Sequence, residues 1–168
     1  MKTAIFAAVI AASISVPAIA QDSAPFTGPK AGVTAGYDKY QGQDGVSYGV
    51  SAGYDLAVNP KVRAGVDVSL GDSSTDGAGF KASRDLAASL RLGYVLTPQI
   101  MPFAKVGYAS SRIETAGTGA AFEGVRFGGG VEYAVTPHTY ISAEYQRTEY
   151  EQNLGGRDAG LIGIGFRF

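Results

Sequence analysis

The sequence predicts an all-β protein, an eight-stranded antiparallel up-and-down transmembrane β-barrel. Three observations carry this expectation. Eight segments beyond residue 28 alternate apolar with small or polar residues at period two. The connections between them alternate between proline-marked turns and polar, glycine-rich stretches. The apolar rows hold no charge through the middle of any strand.

The chain opens with a targeting segment. Lys2 supplies a positive start, Ala4 to Ile14 an apolar run, and Ala18-Ile19-Ala20 a small-x-small cleavage site. The expected organisation is therefore a signal peptide over 1–20, cleaved after Ala20, a short periplasmic lead over 21–28 and a barrel domain over 29–168. A membrane anchor needs about 20 consecutive apolar residues, and Ser13, Ser15, Pro17 and Gln21-Asp22-Ser23 interrupt the run.

The strands follow in order. In the first, Ala31, Val33, Ala35 and Tyr37 oppose Gly32, Thr34, Gly36 and Asp38. The second sets Val46, Tyr48, Val50, Ala52, Tyr54 and Leu56 against Ser47, Gly49, Ser51, Gly53 and Asp55, and the third sets Val62 to Leu70 against Arg63 to Gly71. The fourth sets Leu86, Ala88, Leu90, Leu92, Tyr94 and Leu96 against Asp85, Ala87, Ser89, Arg91 and Gly93. In the fifth, Ala104, Val106 and Tyr108 oppose Phe103, Lys105 and Gly107; in the sixth, Val125, Phe127, Val131 and Tyr133 oppose Arg126, Gly128, Gly130 and Glu132. The seventh is weaker, with Ile141, Ala143 and Tyr145 against Ser142, Glu144 and Gln146. The last sets Ile162, Ile164, Phe166 and Phe168 against Leu161, Gly163, Gly165 and Arg167.

Tight turns are expected at Asn59-Pro60, Thr97-Pro98 and Thr136-Pro137, where proline presets φ and its missing N–H is not needed. The opposite connections, 41–45, 72–81, 114–122 and 149–157, read as loops, three of them longer. Short turns at one end and longer loops at the other fit a membrane barrel. A soluble barrel would place the apolar rows inside and show water a face about 25–35% charged. Here the polar rows are mostly Gly, Ser, Ala and Thr with isolated charges, which suits a narrow interior.

Those inner rows carry Lys30, Arg63, Arg91, Lys105, Arg126 and Arg167 against Asp38, Asp55, Asp67, Asp85, Glu132 and Glu144. Buried charge persists when it is paired. The expectation is an interior polar network centred on Arg63, Asp67, Arg91, Lys105, Arg126, Glu132 and Glu144, with solvated charges at the rims as the alternative. Tyr54, Tyr94, Tyr133 and Phe168 are assigned to a periplasmic aromatic girdle, and Tyr37, Tyr48, Tyr108, Phe127 and Tyr145 to an outer one. Ordinary β-propensity explains aromatics in strands but not their gathering near strand ends.

Composition narrows the chemistry. Lys+Arg 14 against Asp+Glu 15 leaves no basic footprint for nucleic acid. With no cysteine there is no disulfide framework or thiolate site. The single histidine, His138, falls beside a turn and reads as solvated, so neither a catalytic triad nor a metal site is expected. Gly128-Gly129-Gly130 lies inside a strand with no helix after it and is not a phosphate loop. No cofactor is expected.

The ending, residues 160–168 (Gly-Leu-Ile-Gly-Ile-Gly-Phe-Arg-Phe), resembles the C-terminal strand of bacterial outer-membrane proteins. In that family a terminal aromatic, here Phe168, preceded by alternating hydrophobics, here Phe166, Ile164 and Ile162, is read by the barrel-assembly machinery. The chain beyond the leader resembles the small opacity-type and OmpA- or OmpX-type barrels, also called porin-family proteins. The resemblance implies a Gram-negative outer-membrane location, outer-membrane lipid as the surroundings, and assembly machinery and periplasmic chaperones as partners during biogenesis. No peptidoglycan-binding domain of the OmpA type is expected, since the sequence stops at the last strand. Three functions stay open: a non-enzymatic envelope or surface protein acting through its loops, which is favoured; a small diffusion channel; and a lipid-modifying enzyme, for which no catalytic set is visible. The loops are modest in length, mixed in charge and without a binding signature for a surface ligand.

Overall fold

The computed structural model describes residues 24–40, 42–74, 76–77, 80–115, 118–151 and 155–168. The expected signal peptide lies outside them. Nine strands run β1 (Gly28–Tyr40), β2 (Gln43–Ala57), β3 (Val62–Ser73), β4 (Asp76–Gly77), β5 (Phe80–Tyr94), β6 (Ile100–Thr115), β7 (Thr118–Ala134), β8 (Thr139–Tyr150) and β9 (Gly156–Arg167). Eight are staves; β4 is a two-residue ribbon on β5. Each stave pairs antiparallel with its sequence neighbours, β3 pairs with β5, and β1 pairs with both β2 and β9. The sheet thus closes on itself, which removes the exposed edges that an open sheet leaves.

Register puts like residues in rings. Val33 lies opposite Val50, Val50 opposite Leu70, and Val106 between Leu90 and Phe127. These side chains point outward: Val33, Val50, Leu70, Leu90 and Val106 are each more than half exposed. The buried set is the reverse of a soluble core, with Arg63, Asp55 and Glu132 each 1% exposed. Apolar rows therefore face hydrocarbon and charged rows face the lumen, the arrangement of a membrane barrel. Among the described residues no helix is long and apolar enough to cross a membrane; the strands cross instead.

Glycine makes room for the inward charges. Asp55 lies between Gly28 and Gly65, Asp67 beside Gly53, Arg126 beside Gly107 and Glu144 beside Gly130. An eight-stranded interior is only wide enough for side chains to fill it, so a large ion needs a small neighbour. Gly165 illustrates the limit: a Cβ there would lie 2.5 Å from the Tyr140 ring.

The three proline turns share one design. Asn59 Oδ1 accepts from the Lys61 and Val62 amides, Thr97 Oγ1 from those of Gln99 and Ile100, and Thr136 Oγ1 from those of His138 and Thr139. A side-chain oxygen thus caps each turn where proline offers no donor. The opposite connections differ from the expected loops. Pairing continues to Tyr40 opposite Gln43, to Thr115 opposite Thr118, and from Glu149 opposite Gly156. Among the described residues, much of 72–81, 114–122 and 149–157 is therefore strand. The cause is length: a tilted stave needs about 9–11 residues to span, whereas β7 has 17, and the surplus projects beyond the membrane.

Candidate functional site, a lumen closed by layered ion pairs

The lumen is stacked in layers from the proline-turn end upward. At the mouth, Phe26, Val95 and Met101 form a small apolar cluster. Arg63 lies here too. Its Nε donates to the Pro25 carbonyl at 2.8 Å and its Nη1 to those of Asn59 and Val62. Arg63 is thus not part of the expected central network: its guanidinium is spent on backbone carbonyls because its strand position falls at the rim.

Above it lies the densest cluster. Asp55 Oδ2 receives Lys30 Nζ at 3.0 Å, Arg91 Nη1 at 2.9 Å and Arg167 Nη1 at 3.3 Å. Glu132 receives Arg91 Nη2 at 2.6 Å and Arg167 Nη2, with Lys30 Nζ at 4.0 Å. Three cations thus interlock with two carboxylates, and Arg91 also stacks 4.0 Å over the Phe103 ring. Lys30, Asp55 and Arg167, left out of the expected central set, are its middle.

The next layer is Lys105, held between Asp67 at 3.3 Å and Glu144 at 2.8 Å, with Gln146 donating to Glu144. The uppermost joins Arg126 to Asp85 at 2.5 Å and to Thr148 Oγ1 at 2.8 Å, and Arg157 to Asp38 and Asp85. Ser73 Oγ donates to Asp38 as well. Arg157 is absent from the expected inner rows because it falls in the expected loop 149–157. The signal was present: Arg157, Ala159, Leu161 and Gly163 continue the inward parity of β9. Alongside the layers the lumen holds a cavity of about 90 Å³, whose lining runs from Arg91 and Glu132 past Asp67, Lys105 and Glu144 to Asp85 and Arg126. That is room for a small number of waters.

Outside the barrel, Tyr37, Tyr48, Tyr94, Phe127, Tyr133, Tyr145 and Phe168 are exposed on the lipid-facing surface, while Tyr54 and Tyr108 are partly covered. Tyr108 donates to Glu123 and Glu151, and Tyr145 to Asp158. Their hydroxyls thus aim toward the end away from the proline turns. Arg147 bridges Glu149 and Asp158 there. His138 is exposed at its turn with Nδ1 3.2 Å from the Arg167 carbonyl oxygen. Among the described residues no group of three His, Cys, Asp or Glu could hold a metal ion.

A closed eight-stranded antiparallel barrel, greasy outside and ionic inside, is an outer-membrane β-barrel. The chain belongs to the family of the outer membrane protein beta-barrel domain, whose model matches residues 4–168. Neisserial surface protein A is similar in structure, with a TM-score of 0.61 at 20% identity, covering 83% of this chain and 96% of that one. Ail, the attachment invasion locus protein of Yersinia pestis, has a TM-score of 0.58 at 13% identity, covering 84% and 97%. The outer membrane enzyme PagL has a TM-score of 0.54 at 14% identity, covering 83% and 99%. At these identities the likeness is one of fold. No match was found among curated proteins. The protein is thus a small outer-membrane barrel of the opacity and OmpA-like type, located in the outer membrane.

Proposed function

We propose that this protein is a non-enzymatic envelope component that works through the strand ends and hairpins projecting from the membrane, while its lumen stays shut. The observation that carries this reading is the stack of ion pairs: three layers cross the lumen around a cavity of about 90 Å³. A diffusion channel needs a continuous wet path, and eight strands filled with side chains do not provide one. Recording in planar bilayers tests this: the expected result is no reproducible conductance, and steady unitary steps from the purified barrel would refute it.

A lipid-modifying activity needs a nucleophile and base in contact. The sole histidine is instead turned to the Arg167 carbonyl. The lipid A mass spectrum is expected to be unchanged on deletion of the gene; a lost modification restored by the intact chain would argue for an enzyme. Ile162, Ile164 and Phe166 on β9 and Phe168 just after it are each more than half exposed, and this row is proposed as the signal read by the assembly machinery.

A further inference from the structure

Among the described residues two non-glycine positions have positive φ: Arg84, exposed beside the β5 bulge, and Phe26, at φ 61. For a bulky side chain this region is an outlier that persists only where the surroundings over-determine it. Phe26 has such surroundings. Its ring is 3% exposed and packs inside the mouth against Val95 and against Met101, which is 0% exposed, with Ala134 at the margin.

The backbone that carries the ring is tied at several points. Gly28, at φ 96, bends the chain out of β1 where a Cβ would lie 2.5 Å from the Phe168 carbonyl oxygen. Thr27 Oγ1 donates to the Ala24 carbonyl at 2.7 Å. Arg63 Nε holds the Pro25 carbonyl while its Nη1 holds Asn59, joining the bend to the β2–β3 turn. The Arg167 guanidinium lies 5.7 Å from the Phe26 ring centroid. The ring therefore sits between the lower ion-pair layer and the periplasm.

We propose that residues 24–27 are a stopper: Phe26 seals the periplasmic mouth of the lumen against water, and Arg63 is its latch. Backbone strain at Phe26 is offset by burial of its ring and by the latch. An apolar seal at this place keeps water from the charges of the layer above, where a low dielectric makes each ion pair stronger. The seal is separate from closure by ion pairs, since it governs access from one side rather than passage between two.

The absence of cysteine from the chain provides a clean test. In the barrel folded in detergent micelles, M101C places a unique thiol under the stopper, and Q99C places one on the exposed turn as reference. A charged maleimide is expected to label M101C at least about a hundredfold more slowly than Q99C, and F26A/M101C at a rate approaching the reference. F26L/M101C is expected to stay protected. Heat-modified gel mobility establishes that each barrel is folded. If F26A does not fold, R63A/M101C carries the test, because it frees the latch and leaves the ring. Fast labelling of M101C alone, or slow labelling in the folded F26A or R63A background, overturns the proposal. Bilayer recordings do not report on this accessibility, so failure of the stopper and failure of the non-conducting reading are told apart.

Discussion

Replacing Glu132 by glutamine keeps the shape of the side chain and removes one of the two carboxylates that hold three cations together. Glu132 is 1% exposed and accepts from both Arg91 and Arg167, with Lys30 at 4.0 Å. A pair of unit charges about 4 Å apart at an effective dielectric of 20 interacts by about 4 kcal/mol. The substitution weakens more than one such pair, while the amide oxygen still accepts one hydrogen bond. The lost attraction leaves excess positive charge buried, for which about 3–5 kcal/mol of destabilisation is the usual scale. Denaturant titration of the barrel in lipid vesicles measures it, with gel mobility or tyrosine emission as the signal, since the chain has no tryptophan. A loss below about 1 kcal/mol, the range of exposed pairs, would show the layer to be solvated and the reasoning wrong. The double variant E132Q/R167Q should recover part of the loss, because it removes a cation along with its partner.

Other outcomes follow from the same layout. D44N, at the exposed Lys39–Asp44 pair separated by 3.9 Å, should change stability by no more than about 0.5 kcal/mol in that titration. Leu90 is 64% exposed midway along the lipid-facing row of β5, so L90R should cost about 2–4 kcal/mol; a neutral effect would contradict the outward orientation. N59A removes the acceptor of two turn amides and should cost about 1 kcal/mol, measured as a shift in the unfolding midpoint. F168S should lower the folded fraction recovered from outer membranes while leaving refolding in detergent intact; equal recovery would remove Phe168 from the assembly signal.

The staves and their faces were legible because alternation at period two is a local property: Val33 and Val50 announce an outward row before any partner is known. The turns were legible for a similar reason, since proline after Asn or Thr restricts the chain on its own. Arg157 and the upper strand ends were not read correctly. Polar, glycine-containing segments such as 149–157 lack the apolar contrast that marks a strand, yet pairing of neighbouring staves reaches Glu149 opposite Gly156. Phe26 falls in the expected periplasmic lead, and nothing in Ala24-Pro25-Phe26-Thr27 announces that the ring turns back into the mouth.

Alternation along the chain assigns residues to lipid or lumen and shows as many cations as anions on the inner rows counted. Which ion meets which depends on the closed barrel. Arg91 meets Asp55 across 36 residues and Arg157 meets Asp38 across 119. Such meetings depend on the stagger of the staves around a closed cylinder, which sets the height of every side chain in the lumen. Alternation along one strand specifies a face and carries no information about that height. Closure of the barrel therefore selects Lys30, Asp55, Arg91, Glu132 and Arg167 as one layer and leaves Arg63 to the backbone at the rim.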